Sequence, residues 1–222
     1  MSSSPARGLA IYGGTAFLVY LETHGFRSPS PFFGSLPYIV LPILTISTNI
    51  NNRVKYPMAG SFIALAFGNY FFEAHLYFGV AAFLLMISHV LYILSLLPHL
   101  KEWSVPLLLL STVAFVLTFA WLFSDVFISI PFLVLILSSL LISSLVLTAL
   151  AGSLLHYGGK GEMDDSKTLS LIRLIGSLCA VVADVLYICN LFGRRDPMIF
   201  VLRKALMYLG QGFMYLASER AF

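Results

Sequence analysis

Long apolar segments separated by short polar stretches run along the whole chain. They lack the apolar–polar alternation of membrane β-strands, so the pattern predicts membrane-spanning helices. The predicted spans cover residues 8–21, 36–50, 57–73, 76–97, 104–123, 126–151, 170–191 and 199–218. We therefore expect an all-α fold, a polytopic membrane helical bundle of about eight transmembrane helices that forms a single integral membrane domain over residues 1–222. Two glycines interrupt the first span and two prolines lie within the second, so seven spans remain an alternative.

Composition excludes the soluble classes. Of the 222 residues, 59% are hydrophobic and 10% are charged, whereas about 25% of the residues in a soluble domain are charged. The count of two cysteines excludes a disulfide-stapled secreted domain. Cys179 and Cys189 lie in one apolar segment, too far apart along a helix to bond each other. The net charge of +3 does not indicate nucleic-acid binding, and we expect no nucleic-acid partner.

The distribution of Lys and Arg predicts an orientation. Eight basic residues lie on the side of the N-terminus, and five lie on the opposite side. The first set is Arg7, Arg53, Lys55, Lys101, Lys160, Lys167, Arg173 and Arg220, and the second is Arg27, Arg194, Arg195, Arg203 and Lys204. The positive-inside rule then places both termini in the cytosol.

Asp184 is the strongest candidate for a functional residue. It lies inside span 170–191, roughly 10 Å from the nearer span end at a rise of about 1.5 Å per residue. Charged side chains are costly in a membrane and usually mark functional sites. We favour a catalytic or ion-coupling acid over a structural carboxyl that bonds a neighbouring helix.

Other polar residues have two interpretations. For Asn69 we favour an interhelical hydrogen bond over a functional role. Glu73 lies one turn later on the same face and is either a functional carboxyl or a solvated carboxylate at the span end. Four further candidates are either interhelical hydrogen-bonding groups or site-lining groups: His89, Tyr92, Tyr208 and Gln211. The basic group Arg194, Arg195, Arg203 and Lys204 either holds a phosphate or snorkels to the interface. No motif of a soluble enzyme is present, and the histidines are not spaced as metal-ligand pairs, so we predict no metal site.

Two stretches carry a resemblance to a known family. They are ALAFGNYFFEAHLYFGVAAFLLMISHVLYI (64–93), and IGSLCAVVADVLYICNLF (175–192) followed by RKALMYLGQGFMYLAS (203–218). The chain resembles the YhhN-like lysoplasmalogenase family of eight-span membrane proteins. The resemblance implies hydrolysis of the vinyl ether bond of choline or ethanolamine lysoplasmalogens, without a cofactor. It also implies residence in the endoplasmic reticulum or another endomembrane.

The resemblance also assigns residues. Asp184 matches the family's second acidic position, and the further motif positions are matched by His89, Tyr92, Tyr208 and Gln211. The sequence departs from the family pattern at Asn69, where the family has its first aspartate, and at Gly34-Ser35, where the family favours a lysine before the proline. An amide cannot transfer a proton as a carboxyl can, and we expect Glu73 to supply the missing carboxyl.

These residues suggest acid-catalysed cleavage. Asp184 would protonate the β-carbon of the vinyl ether, and Glu73 or Asn69 would position the water that captures the oxocarbenium ion. The glycerol would be bound, or the water polarised, by His89, Tyr208 and Gln211. Tyr92, Arg194 and Arg195 would also bind the substrate, with the phosphate at the two arginines. The expected partner is a lysophospholipid substrate within the bilayer, and a homodimer is left open. Three alternatives remain: a lysolipid-binding protein without activity, a small proton-coupled transporter, and a structural or partner-binding membrane protein.

Overall fold

The computed structural model describes residues 5–160, 166–193 and 196–222, which fold as an all-helical membrane bundle. Its α-helices are α1 (Pro5–Glu22), α2 (Pro31–Ser47), α3 (Asn52–Glu73), α4 (Phe78–Leu96), α5 (Val105–Phe123), α6 (Pro131–Tyr157), α7 (Lys167–Phe192) and α8 (Pro197–Ala221). A single 3-10 turn, Leu97–His99, follows α4. Both of the doubtful N-terminal spans are therefore helical.

Three helices are displaced from the predicted spans. Helix α2 begins at Pro31 rather than at residue 36, because proline suits the first helical turn. The side chain of Asn51 caps α3 and moves its start ahead of residue 57. Helix α6 covers Pro131–Tyr157 rather than 126–151, since turns occupy the apolar residues before Pro131. Hydropathy reports the apolar stretch but not the turn within it.

Four helices are long and apolar enough to cross a membrane by themselves: α4 with its 3-10 extension, α5, α6 and α7. Helix α2 is apolar but shorter. Helices α3 and α8 carry charged and amide side chains that the bundle buries. These side chains face other helices rather than lipid, so α3 and α8 tolerate a more polar composition than the four apolar helices.

Seven of the helices close into a ring. Around it, α1 packs on α2, α2 on α3, α3 on α4, α4 on α6, α6 on α7 and α7 on α8, and α8 returns to α1. Helix α5 lies outside the ring against α6, and its apolar window has no buried residue. The hydroxyl of Tyr12 donates to the carbonyl of Tyr208 at 2.7 Å and joins the first helix of the ring to the last.

Helices α7 and α8 approach through two glycines. A Cβ atom at Gly176 would lie 2.8 Å from the carbonyl oxygen of Gly210, and the converse distance is also 2.8 Å. Only glycine allows the two backbones to come this close, as at other close contacts between membrane helices. The contact fixes the spacing between the two helices that carry Asp184 and Arg203.

The two ends of the bundle differ. At the end that holds the N-terminus, Lys160 N–H donates to the carbonyl of His99 at 2.9 Å, and the His99 ring lies 4.8 Å from the ring of Phe222. We name the opposite end the distal end. It holds the connections 23–30, 74–77 and 124–130, together with Gly193 after α7 and Asp196 before α8.

Candidate functional site

Asp184 and His89 meet inside the ring. His89 Nε2 of α4 lies 3.7 Å from Asp184 Oδ2 of α7, and the two side chains are 1% and 0% exposed. His89 Nδ1 lies 3.4 Å from the hydroxyl of Ser143 on α6. Within the described residues, neither Asp184 oxygen accepts a hydrogen bond of ordinary geometry; Ser144 and Arg203 are its polar neighbours. A buried carboxyl that Ser144 and Arg203 approach without a hydrogen bond of ordinary geometry is a candidate reactive group.

Arg203 lies at the centre of the distal half of the bundle. Its Nη2 donates to Asn69 Oδ1 at 3.3 Å, and its guanidinium stacks 3.9 Å from the centre of the Phe72 ring. Its Nε and Nη1 atoms have no hydrogen-bond partner among the described residues. The amide of Asn69 also donates to the carbonyl of Leu65 at 3.0 Å, so both ends of the Asn69 side chain bond other groups.

Glu73 forms a buried ion pair with Lys204. Lys204 Nζ lies 3.0 Å from Glu73 Oε2, and the backbone N–H of Ser30 donates to the same oxygen at 3.1 Å. A Cβ atom added at Gly34 would overlap the Glu73 carboxylate, so this carboxylate packs directly on the backbone of α2. The prediction of a solvated Glu73 at the span end is therefore wrong, because Lys204 compensates its charge inside the bundle.

The two candidate tyrosines bond backbone groups of other helices. Tyr208 donates to the carbonyl of Gly34 at 2.7 Å, and Tyr92 donates to the carbonyl of Met214 at 2.8 Å. These contacts fit the interhelical interpretation of both residues. Gln211 is buried on α8, with 1% of its surface exposed.

The basic residues near the start of α8 fall into two groups. Arg194 and Arg195 lie outside the described residues, so their assignment to a phosphate stays a prediction. Arg203 and Lys204 are 1% and 2% exposed, which excludes snorkelling to the interface for both. Sequence reasoning missed Lys204 as the partner of Glu73 and Arg203 as the partner of Asn69, although two cations side by side within span 199–218 were a signal.

Two cavities flank this site. The distal cavity, of about 210 Å³, is lined by Arg27, Pro29, Phe72, His75, Phe78, Asn190, Leu191, Asp196, Pro197 and Phe200. An apolar groove of about 440 Å³ lies between α2 and α3, and its lining includes Ser35, Ile39, Phe67 and Phe71. The distal cavity opens among the connections, whereas the groove faces the lipid side of the ring.

The comparisons with known proteins leave the family open. The chain matches no protein-family model, no curated protein and no solved structure. Across the described ranges, no group of three or more His, Cys, Asp and Glu side chains could hold a metal ion.

Proposed function

We propose that the protein is a lysoplasmalogenase-like hydrolase that cleaves the vinyl ether bond of a choline or ethanolamine lysoplasmalogen. The proposed products are a fatty aldehyde and the glycerophospho-alcohol. One observation carries the proposal: Asp184 is fully buried in a helical membrane bundle, 3.7 Å from His89, with both oxygens free of ordinary hydrogen bonds. Cleavage of a vinyl ether begins with proton transfer to carbon, and a protonated carboxyl in an apolar setting is a suitable donor.

The proposed reaction uses Asp184 as the acid. The Asp184 proton moves to the β-carbon of the vinyl ether, and the ether oxygen shares its electron pair with the α-carbon to give an oxocarbenium ion. Water adds to the α-carbon and gives a proton to His89. The hemiacetal then breaks its bond to the glycerol oxygen, which takes up the hydroxyl proton as the aldehyde forms. Transfer of the His89 proton to Asp184 restores both groups.

The contacts favour His89 over Glu73 as the group that takes the proton from the attacking water. His89 Nε2 lies beside Asp184, whereas Glu73 is paired with Lys204 and bonded to the Ser30 backbone. Arg203 neighbours Asp184 and would stabilise its carboxylate after proton transfer. The alkyl chain suits the apolar groove between α2 and α3, which a lipid reaches from the bilayer.

The first test follows aldehyde release from a lysoplasmalogen by purified protein in detergent. Asp184→Asn keeps the size of the side chain but removes its proton, so we expect release to fall at least about a hundredfold. Asp125→Asn, at an exposed residue between α5 and α6, is the matched control and should retain full activity. A folded Asp184→Asn protein with normal aldehyde release would refute the proposal.

A lysolipid-binding protein without hydrolysis is the second candidate. It is favoured by Asn69, whose amide bonds Arg203 and Leu65 where the resembling family has a carboxylate. If the wild-type protein binds lysolipid but releases no aldehyde, Asn69→Asp is the variant that discriminates. Aldehyde release gained by Asn69→Asp would identify a chain that lost its chemistry at this residue. The proton-coupled transporter stays an alternative, tested by proton-coupled flux into liposomes.

A further inference from the structure

The distal cavity combines opposite charges. Arg27 reaches it from the α1–α2 connection, His75 from the α3–α4 connection and Asp196 from the α7–α8 connection. Asp196 Oδ1 accepts from Met198 N–H at 2.9 Å and so caps α8. Among the described residues neither Arg27 nor Asp196 has an ion-pair partner. Within the described part of the chain, no ion pair occupies this guanidinium or this carboxylate.

We infer that the distal cavity binds the zwitterionic phosphate–ammonium head group of a lysophospholipid, with the phosphate at Arg27 and the ammonium at Asp196. The inference rests on the proposed function and names the subsite that orients its substrate. A guanidinium binds phosphate through two parallel hydrogen bonds, and a carboxylate attracts the ammonium. A cavity of about 210 Å³ is smaller than the roughly 300–1,000 Å³ that a drug-sized ligand requires. It therefore suits a head group without its alkyl chain.

The inner wall of the cavity leads to the buried charges. Phe72 and Phe200 line this wall, with their rings stacked 6.1 Å apart. Arg203 lies directly behind Phe72, and two of its nitrogen atoms have no hydrogen-bond partner in the described part of the chain. A phosphate in the cavity would thus have Arg27 near the opening and a buried cation behind the wall.

The spacing along α7 fits one extended substrate. Asn190 lines the cavity and lies six residues after Asp184, which is about 9 Å at the helical rise. The glycerol backbone and ether oxygen separate phosphate from vinyl group by a similar length in an extended lysoplasmalogen. A phosphate at the level of Asn190 would therefore bring the vinyl ether to the depth of Asp184. The Phe72 ring must turn aside to let it pass.

The test measures binding rather than turnover. The full-length protein in detergent is titrated with a 1-O-alkyl lysophosphatidylcholine, whose alkyl ether cannot be cleaved by proton transfer to a double bond. A second titration uses the 1-O-alkyl lysophosphatidic acid, which lacks the ammonium. Free glycerophosphocholine is the third probe. Arg27→Gln and Asp196→Asn are compared with the exposed matched controls Arg53→Gln and Asp125→Asn.

Each variant has its own expected pattern. Arg27→Gln should weaken the binding of both lysolipids about tenfold to a hundredfold, because it removes a charged hydrogen-bond donor to phosphate. Asp196→Asn keeps a good helix cap. It should weaken the binding of the choline lipid about tenfold and leave the affinity for the lysophosphatidic acid unchanged. Unchanged affinities in both variants, or equal loss for both lipids in Asp196→Asn, would overturn the inference.

The probes separate the inference from the proposed function. Selective loss of binding together with absence of aldehyde release would support the head-group site and refute hydrolysis. Normal hydrolysis by Arg27→Gln with an unchanged KM would support hydrolysis and refute the head-group site. Glycerophosphocholine that binds as tightly as the lysolipid would identify the free head group, rather than the lipid, as the ligand and overturn the inference.

Discussion

The two buried carboxylates near the distal end have different partners. Glu73 is neutralised by Lys204 at 3.0 Å and held by a backbone N–H, whereas Asp184 faces a histidine at 3.7 Å and has Ser144 and Arg203 as further polar neighbours. A carboxylate in a tight ion pair is a poor proton donor, since its cation stabilises the ionised form. The contacts thus separate a structural carboxylate from a reactive one.

The ion pair predicts a stability pattern. Glu73→Gln leaves the Lys204 ammonium buried without its anion, so the free energy of unfolding should fall by roughly 3–5 kcal/mol. Glu73→Gln combined with Lys204→Met should recover most of this loss and keep hydrolytic activity. Chemical unfolding in detergent measures the first result and aldehyde release the second. Exposed Glu102→Gln is the control; an inactive but stable double variant would instead make Glu73 part of the chemistry.

At the same scale, sequence position identified the candidate acid but not its neighbours. Asp184 stands out because it interrupts an apolar span, whereas its contact with His89 joins two helices far apart in the chain. Arg203 and Lys204 were interpreted either as a phosphate site or as side chains that snorkel to the interface, because both interpretations follow from their position near a span end. Inside the bundle they contact Glu73 and Asn69 of α3, and the sequence pattern does not display these contacts.

At the scale of the element, apolar content predicts that a helix is present better than it predicts the residues at which the helix begins and ends. Helices α4, α5 and α7 follow their predicted spans within about three residues, whereas α6 is displaced at both ends. Pro131 begins α6 and Gly158 follows it, and both act through backbone geometry that hydropathy ignores. Pro37 and Pro42 lie inside α2, which shows that an internal proline did not remove this span.

The contact between α7 and α8 gives a prediction for this pair of helices. Gly176→Ala places a methyl group 2.8 Å from the Gly210 carbonyl oxygen, so the helices must separate. We expect a loss of about 1–3 kcal/mol in unfolding free energy and reduced aldehyde release, since Asp184 and Arg203 move apart. Gly13→Ala is the control, because a Cβ atom there meets nothing within 4 Å. Equal stability of the two variants would contradict the close packing.

At the scale of the whole molecule, the burial of three basic residues changes the charge count from which the orientation is predicted. Arg173, Arg203 and Lys204 are enclosed by the bundle and do not act as loop charges. Without them, the sequence predicts seven basic residues on the side of the N-terminus and three on the opposite side. The larger difference strengthens the prediction of cytosolic termini.

Labelling in sealed microsomes tests this orientation. Cys179 and Cys189 are first replaced by alanine, and one cysteine is introduced as Lys101→Cys or Asp125→Cys at the two opposite ends. A membrane-impermeant maleimide should label Lys101→Cys in intact vesicles, and Asp125→Cys only after detergent is added. The reverse pattern would place the termini in the lumen.

The closed ring also constrains how the protein is made. Helices α3 and α7 leave the ribosome before α8, yet the cations beside Glu73 and Asp184 both belong to α8. Until α8 enters the membrane, the nascent chain holds Glu73 without its counter-charge, Asp184 without its neighbour Arg203, and a ring with a gap between α7 and α1. Insertion of α8 therefore completes both the charge balance and the ring. A chain that stops short of α8 is expected to be recognised by membrane quality control and degraded.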